Sequence, residues 1–152
     1  MDYTDYLGLK DLFCILIFIL KFMGISDLKY SDITGKIIGC AFNVYNKLGS
    51  GYMEVIYQRA LALEMRKADL IFTREHEMPV FYDEQEVGIR RADFIVEHNI
   101  MVELKAVTEL NDIHLNQALN YLKAFKLDIG LLINFGSSSL QFKRLIYSKS
   151  SK

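Results

Sequence analysis

The sequence has no tryptophan, one proline and two cysteines in 152 residues, and its 18 basic and 19 acidic residues nearly cancel. Each shortage excludes something. Cys14 and Cys40 cannot build a disulfide framework or a four-thiolate zinc site; both sit among apolar neighbours and read as buried free thiols in a reducing cytoplasm. A net charge of −1 excludes a highly basic nucleic-acid coat protein but leaves room for a local basic patch. Scarce proline and 24% charged residues fit neither a disordered nor a collagenous chain. The three histidines, His76, His98 and His114, lack zinc-ligand spacing. Gly49-Ser50-Gly51 lacks the lysine and the preceding strand of a phosphate-binding loop, so nucleoside-triphosphate hydrolysis is not indicated. Apolar residues are abundant, at 51%, enough for one well-packed core in a chain too short for two large domains.

Long apolar runs are scarce as well. Leu12 to Leu20 (LFCILIFIL) reaches Met23 only across Lys21, short of the roughly 20 residues a membrane-spanning helix needs. Asp2, Asp5, Lys10 and Asp11 ahead of it, with no small-residue cleavage site, do not make a signal peptide. Residues 1–30 therefore read as an apolar extension outside the domain. It is an extra helix laid on the domain or translated sequence ahead of a start at Met23, in preference to a membrane anchor through residues 12–23.

From Ser31, a candidate N-cap, apolar residues recur at Ile33, Ile37, Ile38, Ala41, Val44, Tyr45 and Leu48, predicting a helix that Gly49-Ser50-Gly51 stops. Met53 to about Ala68 continues as a second helix, making a helical hairpin. Alternation then predicts strands over Ile71–Tyr82, Val87–Val96 and Ile100–Val107, the first two joined by a turn at Asp83-Glu84-Gln85. Asn111-Asp112 suits the start of a helix over Ile113–Leu127. Ile129–Phe135 reads as a buried strand, Gly136 to Ser139 as a turn, and Leu140–Tyr147 as an edge strand before the polar tail 148–152.

The segment from Arg91 to Lys105 (RADFIVEHNIMVELK) carries the chemistry. A two-residue turn at His98-Asn99 would pair Phe94 with Glu103 and put a carboxylate on the apolar face, which is costly. A three-residue loop Glu97-His98-Asn99, with Asn99 left-handed, pairs Val96 with Ile100, Phe94 with Val102 and Asp93 with Glu103. Phe94, Val96, Ile100, Val102 and Leu104 then share the core face, and Asp93, Glu103 and Lys105 the other. Two facing carboxylates imply a raised pKa or a cation between them, and Mg²⁺ prefers such oxygen ligands. A cation there would hold a phosphate oxygen and acidify a water, while Lys105 offsets charge developing on phosphorus: phosphodiester hydrolysis. An exposed Glu/Lys pair would be commonplace, but these charges interrupt the apolar run Met101–Val107, where ionised groups rarely stand idle.

Asp93 followed by Glu103-Leu104-Lys105 resembles the signature of the PD-(D/E)XK nuclease superfamily. Gly51-Tyr52-Met53-Glu54-Val55-Ile56-Tyr57 is similar to the motif of its bacterial GxxExxY branch. Ala92 stands where the signature has proline. The resemblance runs over residues 31–147 and implies an α/β fold of α+β character with a restriction-endonuclease-like core. That core is a mixed sheet of about five strands flanked by helices, the N-terminal helical hairpin among them. It implies Mg²⁺ or Mn²⁺ held by Asp93, Glu103 and Glu54, with Lys105 as catalytic lysine, and nucleic acid, DNA foremost, as substrate.

Glu54, in the first turn of its helix, is also favoured there by the helix dipole alone. Gly51 would serve close backbone approach or chain reversal and Tyr57 a hydrogen bond across the site, structural roles rather than catalytic ones. Gln117 and Tyr121, at i and i+4, resemble the accessory Gln-x-x-x-Tyr of RecB-type members; a phosphate contact and simple packing weigh equally there. Arg90, Arg91, Lys143 and Arg144 are candidate phosphate contacts, although gatekeeping charges on an edge strand explain the last two as well. The competing function is a catalytically silent nucleic-acid-binding or protein-interaction module with the same fold. A minimal domain of this kind also implies weak sequence preference and room for a homodimer or partner protein.

Overall fold

The computed structural model describes Ile15 and residues 29–147. The apolar run 12–23, apart from Ile15, and the tail 148–152 lie outside the described residues, and with them the expectations about an anchor or an alternative start. Among the described residues no helix is long and apolar enough to cross a membrane.

Helix α1 (Ser31–Leu48) carries Asp32 in its first turn and Lys47 in its last, each complementing the helix dipole. Its N-cap is Tyr30 in the left-handed region rather than Ser31, and no side chain caps it; Thr34 Oγ1 instead donates back to the carbonyls of Tyr30 and Ser31. Gly49, at φ 66°, ends it, and α2 (Glu54–Lys67) follows. Strands β1 (Phe72–Tyr82), β2 (Gln85–Val96) and β3 (Ile100–Lys105) form the expected meander. Helix α3 (Asp112–Ala124) then crosses over to β4 (Ile129–Asn134), which runs parallel to β3, and β5 (Gln141–Ile146) closes the far edge antiparallel. The sheet order is β1-β2-β3-β4-β5.

Three layers result. The α1–α2 hairpin covers one sheet face through Ile37, Val44, Leu61 and Met65 against Phe94, Val96, Ile100, Val102, Leu131 and Ile133. Helix α3 covers the other through Ala118 and Leu122, with Phe125 just past its end, against Ala92, Met101, Leu132 and Leu145. β3 and β4, central and buried on both faces, accordingly read as continuous apolar runs. The β2–β3 register pairs Val96 with Ile100 and Phe94 with Val102, as the sorting of side chains requires. The left-handed residues of its loop are Glu97 (φ 48°) and His98 (φ 60°), not Asn99. Asn99 instead braces the loop, its Nδ2 donating to the Glu97 carbonyl at 2.8 Å.

Candidate active site

At Asp93 the regular alternation of β2 breaks. Ala92 packs on the α3 side and Phe94 on the α2 side, although a uniform strand would put both on one face. The neighbouring strand breaks at the same level: Glu75 adopts φ 53°, and the ladder pairs Arg74 with Phe94 and His76 with Ala92 but leaves Glu75 and Asp93 unpaired. Arg74 consequently reaches Gln58 on α2, while the His76 ring lies 5.9 Å from Phe125 beside α3. Asp93 therefore does not sit squarely opposite Glu103. One of its oxygens accepts from the Leu104 backbone N–H at 2.8 Å and the other from Gln58 Nε2 at 2.9 Å.

Glu103 stands in the middle of β3, 6% exposed, and its Oε2 is buried with no hydrogen-bond partner. Lys105 Nζ lies 3.9 Å from Glu103 Oε1, at the outer limit of an ion pair. Burial is the larger influence and pushes the Glu103 carboxyl up to about 8, the charge of Asp93 adding to it and Lys105 opposing it. Asp93 is raised by burial too, against its two hydrogen bonds and Lys105. Glu54, the first residue of α2, is raised by burial and then by Asp93, and is drawn the other way by Lys105. Glu54, Asp93, Glu103 and Lys105 thus form one electrostatic unit, drawn from the start of α2, from β2 and from β3.

Gly51 and Tyr57, on either side of Glu54, hold the local backbone. Gly51 sits at φ 106°, where a side chain would be strained, and nothing lies within 4 Å of where its Cβ would be. That conformation suits chain reversal, and no other group among the described residues approaches it closely. Tyr57 is fully buried; its hydroxyl donates to the Gly49 carbonyl at 2.7 Å and accepts from the Tyr52 N–H at 3.2 Å, and its ring stacks on Phe135 at 4.6 Å. Tyr57 thereby ties the glycine loop to the sheet and sets where α2, and so Glu54, begins.

Gln117 and Tyr121 are joined to each other, Gln117 Nε2 donating to the Tyr121 hydroxyl at 3.0 Å. With Arg90, whose guanidinium lies 5.7 Å from the Tyr121 ring, they line a separate cleft of about 570 Å³ between α3 and the β1–β2 hairpin. Glu54, Asp93, Glu103 and Lys105 are not among its lining residues. Arg91 and Lys143 are exposed. Arg144 is part-buried and donates to the Lys29 carbonyl, which leaves it less free for a ligand than its sequence position suggests.

Two groups escaped the sequence reading. Gln58 is buried between Arg74 and Asp93, and its only advance signal is the i, i+4 spacing from Glu54. Asn134, also buried, accepts from the Val107 and Gly136 N–H groups and donates to the Val107 carbonyl and Gln141 Oε1, pinning the chain just past Lys105. No spacing motif announces such a clamp.

Among the described residues no three His, Cys, Asp or Glu side chains converge closely enough to enclose an ion by themselves. The donor set still suits a hard cation. Glu103 Oε2 is free, each Asp93 oxygen keeps a second lone pair, and Mg²⁺ ordinarily takes one or two carboxylates and completes its shell with water and phosphate.

The family model of the PD-(D/E)XK nuclease superfamily matches residues 31–145. A solved protein, described as the crystal structure of SSO0001, superimposes with a TM-score of 0.50 at 18% identity, over 61% of this chain and 50% of that one. The likeness is one of fold, and the chain aligns with half of that protein's length. No curated protein matches.

Proposed function

The chain belongs to the PD-(D/E)XK nuclease superfamily, and from that premise we propose that it hydrolyses phosphodiester bonds of nucleic acid, DNA foremost, using Mg²⁺ or Mn²⁺ held by Asp93 and Glu103. The observation that carries the reading is the unpartnered, buried Glu103 Oε2 beside Asp93, with an ammonium 3.9 Å from the other Glu103 oxygen. Leaving a buried carboxylate oxygen unmatched costs about 1–3 kcal/mol or more, a cost a bound cation removes. A divalent cation at this place supplies positive charge to a phosphodiester oxygen and to an attacking water. Lys105, part-buried, would offset charge developing on phosphorus, and Glu54, coupled to Asp93, would add a third carboxylate. The Gly51–Tyr57 motif supports placement in the GxxExxY branch.

The test is cleavage of labelled single-stranded DNA, duplex DNA and RNA by the full chain with Mg²⁺, Mn²⁺ or EDTA, beside Asp93→Ala and Lys105→Ala. Cutting that requires the cation and falls by about 10²-fold or more in both variants is expected. Identical behaviour of wild type and variants would leave a silent module of this fold.

A further inference from the structure

Gln58 is 5% exposed, an unusual depth for an amide, and the carboxylate–lysine chemistry makes no direct use of it. It lies one turn beyond Glu54 on the side of α2 that meets the sheet. Its two ends meet different partners: Arg74 Nη2 donates to Oε1 at 2.8 Å, and Nε2 donates to Asp93 Oδ1 at 2.9 Å. An amide can exchange its ends by a half-turn of the last torsion. A guanidinium has donors only, so once Arg74 takes the oxygen, the end left facing Asp93 is N–H. Arg74 pairs with Phe94 across the β1–β2 ladder and shares its side of the sheet, the side that α2 covers. With the Leu104 N–H on its other oxygen, Asp93 is held at both ends by groups on α2 and β3.

We propose that Gln58 is a positioning residue for Asp93, locked in its donating orientation by Arg74, and that this pair sets how tightly the site holds a divalent cation. The proposal rests on the cation reading above. An amide that merely filled space would not need a guanidinium on its oxygen, and an Arg74 that merely decorated the surface would not turn inward to reach it. Partners of metal-ligating carboxylates typically matter by about 10–100-fold in metal affinity.

The experiment is calorimetric titration of Mn²⁺ into the full chain as wild type, Gln58→Leu, Arg74→Met, Arg74→Lys and the Gln58→Leu/Arg74→Met double variant. Gln58→Leu is expected to weaken Mn²⁺ by about 10–100-fold. Arg74→Met should weaken it less, Arg74→Lys should restore part of that loss, and the double variant should be no worse than Gln58→Leu, because both changes break one chain of hydrogen bonds. Wild-type affinity in Gln58→Leu, or losses that multiply in the double variant, would overturn the proposal. Arg74 is exposed, so its variants report even where Gln58→Leu folds poorly.

A second readout needs no cation. The Gln58 side-chain amide signals in ¹H–¹⁵N spectra should exchange slowly with solvent in wild type and quickly in Arg74→Met; equal exchange in the two would refute the lock. If wild type binds no Mn²⁺, the cation reading falls and takes the affinity claim with it, while the amide signals still decide the orientation.

Discussion

Glu103 is the residue at which burial and charge collide. The apolar register that places Val102 and Leu104 in the core forces their neighbour into a strand enclosed on both faces, and its carboxyl rises from 4.5 to about 8. In the cation-free protein the folded state therefore holds this proton more tightly than the unfolded chain does. Stability is unaffected below about pH 4.5 and falls as pH rises through about 8. Asp93 and Glu54, raised in the same direction, add to the slope. Thermal melts in EDTA from pH 5 to 9 should show the decline, and Glu103→Gln, which mimics the protonated form, should flatten most of it. A wild-type profile that rises over this range would refute the assignment. Glu64 behaves oppositely. Its contacts with Lys67, Lys47 and Asn43 bring its carboxyl down to about 2, so the stability it lends is present above about pH 4.5 and is lost as pH falls through about 2. Glu64→Gln should be less stable than wild type at pH 7, with most of the gap closed near pH 2, as measured by urea melts at each pH.

At the scale of elements, the site depends on where α2 starts and where β3 stops. Tyr57 governs the first by bridging Gly49 and Tyr52 from a fully buried ring. Tyr57→Phe removes the hydroxyl and leaves a carbonyl and an N–H unmatched, a loss of about 1–3 kcal/mol. The glycine loop should loosen and cleavage should fall without any charged residue being touched; an active, full-stability Tyr57→Phe would show that the loop holds itself. Asn134 governs the second element end. Gly136 beside it is equally constrained, since a Cβ there would stand 2.4 Å from the Val107 N. The order of elements and the β2–β3 register were legible because a one-residue slip in this hairpin would bury a charge against Phe94. That Asp93, Glu103 and Lys105 come together was legible because they interrupt apolar runs. The offset of Asp93 from Glu103 was not, because it arises from a break shared with β1 at Glu75, and alternation assumes a regular strand. Gln58 and Asn134 were hidden for a related reason: what marks them is the set of buried groups they satisfy, and that exists only once the chain is folded.

At the scale of the whole molecule, the candidate phosphate contacts are few. The net charge is −1, and the β1–β2 hairpin tip carries Asp83, Glu84 and Glu86, all exposed. Arg90, Arg91 and Lys143 are the exposed cations among the candidate phosphate contacts, and Arg144 is tied to the Lys29 carbonyl. Each phosphate neutralised contributes about 0.9 to the slope of log affinity against log salt. Three such contacts set an expected slope of about −3 or shallower, with weak affinity at physiological salt and little sequence preference. The measurement is binding of labelled duplex DNA to Lys105→Ala, chosen so that the substrate survives, across a salt series without divalent cation. Arg90→Ala and Arg91→Ala should each make the slope shallower by about 1. A slope much steeper than −3 would mean that cations outside these positions bind the backbone, from another part of the surface or from a second copy of the chain; unchanged slopes in both arginine variants would remove the β2 arm from the nucleic-acid path.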